Sequence, residues 1–102
     1  MMTLTINNEN NVWTGKVTGR LDTVSAVQFE KEMKPLLENA DKEIVLDCQE
    51  LEYISSSGLR QLLALRKAVD AKGGKMVILH INDELRNIFT ITGFFALFDI
   101  RN

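Results

Sequence analysis

Two short apolar runs, Glu43-Ile44-Val45-Leu46-Asp47-Cys48 and Lys75-Met76-Val77-Ile78-Leu79-His80, constrain this chain more than any other feature. Both are enriched in β-branched residues and too short for helices, a pattern that suits strands buried on both faces. Between them, Ser57 to Lys72 sets Leu59, Leu62, Leu63, the Arg66 stem and Val69 along one side, and Gly73-Gly74 offers a left-handed helix cap. Strand, helix and strand within about 35 residues predict parallel pairing through a right-handed crossover, and hence an α/β fold.

Ahead of this unit, Thr3 to Asn8 alternates Leu4 and Ile6 with polar residues, Asn7 to Asn11 carries turn chemistry, and Val12 to Gly19 resumes strand-like composition. These segments predict an antiparallel β-hairpin. Gly19-Arg20-Leu21-Asp22-Thr23 ends it, with Asp22 or Thr23 capping a helix on which Ala26, Phe29, Met33, Leu36, Leu37 and Ala40 recur at helical spacing. Glu30, Lys31, Lys34 and Glu38 take the other side, and Pro35 is expected to bend this single helix toward its exposed side. A further helix, Glu84 to Thr92, is expected to be capped by Asp83 and stopped by Gly93. Phe94, Phe95, Leu97, Phe98 and Ile100 then close the core as a loop and short final strand. The expected architecture is a mixed sheet of four or five strands, hairpin first, with helices packed mainly on one face.

The 102 residues, 45% hydrophobic and 25% charged, are the size and balance of one globular domain, 1–102. Lys plus Arg total 12 against 14 Asp plus Glu, so no positive field exists to hold nucleic acid. A single cysteine, Cys48, and a single histidine, His80, exclude an internal disulfide and a multi-ligand zinc cluster, and no metal or cofactor is expected. The N-terminus lacks the pattern of a signal peptide and no apolar run spans a bilayer, so a cytoplasmic protein without membrane insertion is expected. The acidic stretch Asp41 to Glu52 reads as a loop leading into a helix carrying Arg60, Arg66, Lys67 and Lys72.

Ser55-Ser56-Ser57-Gly58 stands where a strand's carboxyl end meets a helix N-terminus, the edge at which ligands and reactive groups collect in open α/β sheets. One serine suffices as a cap. A hydrolase would need one of them as nucleophile, His80 as base and Asp47 as orienter, but the glycine two residues before the serine, which a nucleophile elbow requires, is missing. No phosphate-binding loop occurs either, since Gly73-Gly74-Lys75 follows a helix instead of preceding one. Cys48 has nothing basic beside it in sequence and reads as a small buried hydrophobe. Modification remains: a phosphate at a helix N-terminus meets free amides and the positive end of the dipole, so it would act on whatever docks there without unfolding the domain.

Gly19-Arg20-Leu21-Asp22-Thr23, the Ile44-Val45-Leu46-Asp47 strand, Tyr53-Ile54-Ser55-Ser56-Ser57-Gly58-Leu59 and the Gly73-Gly74 turn before Met76-Val77-Ile78-Leu79 together resemble the STAS domain. The resemblance runs through Gly93-Phe94 and is closest to stand-alone bacterial anti-sigma factor antagonists. It implies a non-enzymatic partner switch that binds a serine-kinase anti-sigma factor, frees a sigma factor, is released when that kinase phosphorylates it and is reset by a PP2C-type phosphatase. The family's acceptor serine, directly before the glycine, matches Ser57, with Ser56 as second choice. The implied partner surface comprises Asp22, Thr23, Ser55, Ser56, Gly58 and Arg60. Ser55 replaces the family's usual Asp, and Arg60 stands where relatives often carry a small residue. A STAS adaptor of a lipid-trafficking ABC transporter is the alternative.

Overall fold

The protein is described here from a computed structural model covering residues 1–101. Its core is one five-stranded sheet whose spatial order, β1-β2-β3-β4-β5, is also the chain order. β1 (Met2–Glu9) and β2 (Val12–Leu21) form the antiparallel hairpin, and β3 (Glu43–Ile54), β4 (Lys75–Leu79) and β5 (Ile100–Arg101) each add in parallel. Asn10 and Asn11 make the hairpin turn with positive φ of 54° and 64°, a backbone that asparagine tolerates better than other side chains with a Cβ.

The helices are α1 (Thr23–Glu32), α2 (Lys34–Glu38), α3 (Ser56–Lys72) and α4 (Asp83–Ile91), followed by a 3₁₀ turn at Phe94–Leu97. Register puts Trp13, Ile44 and Met76 in one row and Gly15, Leu46 and Ile78 in the next, on the face that α2 approaches through Leu36. Ile44, Leu46, Cys48, Met76 and Ile78 join Phe29, Leu59, Leu62, Leu65, Leu85 and Phe89 in one buried cluster. The opposite face is more polar, with Thr3 bonded to Thr18, Lys16 Nζ 2.6 Å from Glu50 and His80 Nδ1 3.0 Å from Asp47, although Val45, buried Val77 and Leu79 also lie on it.

Several expectations need correction. The helix through Pro35 is two helices: the chain breaks at Met33, and Pro35 sits in the first turn of α2, where its missing N–H costs nothing. Apolar spacing runs unbroken through the break because Phe29, Met33, Leu36 and Ala40 are all buried on both sides of it. β3 alternates buried and less buried residues instead of being covered on both faces, and it extends six residues beyond Cys48 to Ile54. Asp41–Glu52 is therefore mostly strand, not loop. Leu65, not Leu63, completes the buried stripe of α3, and the cap of α4 is Asn82, whose Oδ1 accepts from the Leu85 amide at 2.7 Å. His80 lies just past β4 in left-handed backbone, with its ring about half exposed.

Candidate functional site

The carboxyl ends of two neighbouring parallel strands each open into a capped helix, and the register places them side by side. Leu21 is opposite Ile54, and the Ser55 amide donates to the Leu21 carbonyl at 2.8 Å, so the start of α3 is fastened to the end of β2. Asp22 caps α1 in a capping box: its Oδ1 accepts from the Ser25 amide at 2.9 Å while its own amide donates to Ser25 Oγ at 2.9 Å. The Ser25 amide first, and the Ser25 hydroxyl second, which donates to Oδ1 at 3.0 Å, hold the Asp22 carboxyl below its ordinary value. Ser55 caps α3, its Oγ accepting from the Gly58 amide at 3.2 Å.

This division of labour separates the three serines. Ser55 is committed to the cap, Ser56 is exposed, and Ser57 is half-buried at the mouth of a groove between α1 and α3. The groove holds about 270 Å³; Thr23, Val27 and Glu30 line its α1 side, and Ser57, Arg60 and Gln61 its α3 side. Ser57 thus shares its groove with an acid, Glu30, and a base, Arg60. On the other flank of α1 a wider concavity of about 700 Å³ is lined by Arg20, Asp22, Val24 and Val27 among others. The Arg20 guanidinium lies 4.5 Å from the centre of the Tyr53 ring.

Of the residues expected at a partner surface, Asp22, Thr23, Ser55, Ser56 and Arg60 are gathered at this end of the sheet. Gly58 lies at the same end but is buried. A Cβ there would come within 2.8 Å of Leu21 Cγ, 2.9 Å of Ile54 Cγ1 and 3.0 Å of the Leu21 carbonyl oxygen. The missing side chain lets α3 close onto the strand ends. Val24 and Val27, exposed by 82% and 56%, were not expected there, although two valines off the buried stripe of α1 were the available signal.

The hydrolase arrangement does not assemble. Asp47 and His80 are paired, but Asp47 is separated from Ile54 by seven residues of strand, roughly 20 Å of chain, and Ser57 lies beyond that end. Cys48 is buried, and desolvation pushes its thiol up to about 12. Among the described residues no cluster of His, Cys, Asp and Glu could hold a metal ion, and no helix is long and apolar enough to cross a membrane. The acidic and basic stretches are partly neutralised within the chain, Lys16 by Glu50 and Arg66 by Asp70.

A mixed sheet fed by an N-terminal hairpin, with a serine at the first turn of the helix after its central strand, defines a class of small α/β binding domains. The chain belongs to the STAS domain family, whose model matches residues 4–102. BtrV of Bordetella bronchiseptica, which carries the name of an anti-sigma factor antagonist, is 30% identical over 99% of this chain and 87% of its own. The crystal structure of an anti-sigma factor antagonist from Mycobacterium paratuberculosis superposes with a TM-score of 0.86 at 21% identity, over 98% of this chain and 85% of that one. The Bacillus cell fate determinant SpoIIAA, in its phosphorylated form, gives 0.72 at 16% identity over 98% and 92%.

Proposed function

We propose that this chain is an anti-sigma factor antagonist controlled by phosphorylation of Ser57. One observation carries the reading: Ser57, alone of the three serines, opens onto the groove between the two side-by-side helix starts. Unmodified, the surface of Asp22, Thr23, Val24, Val27, Ser56 and Arg60 docks a serine-kinase anti-sigma factor and so frees a sigma factor. Phosphate on Ser57 adds a charge of about -1.5 to -2 at a helix start that tolerates it, so the fold persists while the docked partner is repelled. A PP2C-type phosphatase restores the binding form. The chain acts by binding, in the cytoplasm, and catalyses nothing itself.

BtrV's name and the solved phosphorylated form of SpoIIAA support this reading. The test is calorimetric titration of parent, Ser57→Ala and Ser57→Asp against the serine-kinase anti-sigma factor from the same cell, with thermal melts of all three. Ser57→Ala should bind like the parent, and its melt should barely move because the cap is Ser55. Ser57→Asp should melt like the parent and bind at least tenfold more weakly. Equal binding by all three, with Ser57 unmodified in cells, would favour a constitutive adaptor of a lipid-trafficking ABC transporter.

A further inference from the structure

β1 is an edge strand whose outer side is unusually open. Its turn is the two-residue Asn10-Asn11, with Glu9 directly opposite Val12, and in such a hairpin the pair flanking the turn exchanges both backbone hydrogen bonds. By alternation, Asn7, Thr5 and Thr3 point their backbone groups at β2, while Asn8, Ile6, Leu4 and Met2 point theirs outward. The Met2 carbonyl is already engaged, since Gln28 Nε2 of α1 donates to it at 3.4 Å. Leu4, Ile6 and Asn8 remain as an outward row of donors and acceptors.

Edge strands are ordinarily guarded by lysine, proline, a bulge or extreme shortness. β1 has eight residues, an unbroken register with β2, and no charge before Glu9 at its end. The other edge shows what guarding looks like: β5 has two residues, and one of them, Arg101, is ion-paired with Asp99. Leu4 and Ile6 are each only half-buried at the open margin.

We infer that β1 pairs antiparallel with β1 of a second copy of this chain, about a two-fold axis at Ile6. In that register Ile6 faces Ile6, Leu4 faces Asn8, Thr5 faces Asn7 and Glu9 faces Thr3. The outward residues Leu4, Ile6 and Asn8 then bond only to one another, six backbone hydrogen bonds in all, and no charge faces a like charge. Half-buried Leu4 and Ile6 gain apolar cover. A register centred on Thr5 would instead draw on the Met2 carbonyl that Gln28 holds. The pairing row lies toward the hairpin turn, and Ser57 stands at the opposite end of the sheet, so self-pairing leaves the serine groove open.

Sedimentation of the parent across a concentration series should show mass rising from monomer toward dimer at high micromolar concentration. Ile6→Lys, which sets two ammonium groups face to face, should stay monomeric throughout. Ile6→Cys should cross-link on mild oxidation, because residues facing each other in a hydrogen-bonded pair lie about 5.5 Å apart at Cα, within disulfide range. Thr3→Cys should not, as it faces Glu9, and buried Cys48 remains silent in both. A parent that stays monomeric at millimolar concentration, or equal cross-linking of the two cysteine variants, overturns the inference.

Discussion

Gly58 and Asp47 show how single side chains set limits on this molecule. At Gly58 the missing side chain lets α3 rest on Leu21 and Ile54, the nearest contact for a Cβ being 2.8 Å. Gly58→Ala should therefore cost about 1–3 kcal/mol through overpacking, read as a lower denaturant midpoint with unchanged slope. Asp47 is partly buried, which raises its pKa, but hydrogen bonds from His80 and the Gln49 amide outweigh this and hold it below the ordinary carboxylate value. A lowered folded pKa contributes stability above the unfolded value and loses it as pH falls through the folded one. Asp47→Asn should thus melt lower than the parent near neutral pH and converge with it in acid. Arg60, one helical turn beyond Ser57 on the same groove, should hold a phosphate there as the dianion. Phosphorus NMR titration of phosphorylated protein should show a higher second pKa in Arg60→Ala than in the parent.

Among the elements, the break between α1 and α2 makes a distinct prediction. Pro35 sits where an N–H has no helical partner, and buried Met33, Leu36 and Ala40 fix the corner, so Pro35→Ala should change stability by less than about 1 kcal/mol and leave helix content by circular dichroism unaltered. The hairpin, α3 with its Gly73 cap, and the parallel pairing of β3 with β4 were legible because each depends on local period and turn chemistry. The break at Met33 was not, because the same apolar spacing serves one helix or two. The far half of β3 was hidden by Gln49, Glu50 and Glu52, whose exposed positions reflect two register shifts against β2. At the site, Ser57 was visible from its place before Gly58. Glu30 was not, since its sharing of one groove with Ser57 depends on how two helices lie together. Val24 and Val27 were visible only as valines without a place on the buried stripe.

At the scale of the whole molecule, all the buried apolar side chains among the described residues except Ala26 and Val77 belong to one cluster, into which Cys48 projects from the middle of β3. With its thiol pushed up to about 12, Cys48 should resist alkylation in the native protein and react only at the rate of global opening, so pulsed labelling across a denaturant series should track the same midpoint as fluorescence. Spatial and sequential strand order coincide, and this bears on how the chain is made. Each strand, as it leaves the ribosome, finds its neighbour already synthesised, and no connection longer than the one through α1 and α2 has to close before pairing begins. Assembly can proceed by accretion from the hairpin outward, so the nascent chain never waits for a distant segment to complete its sheet.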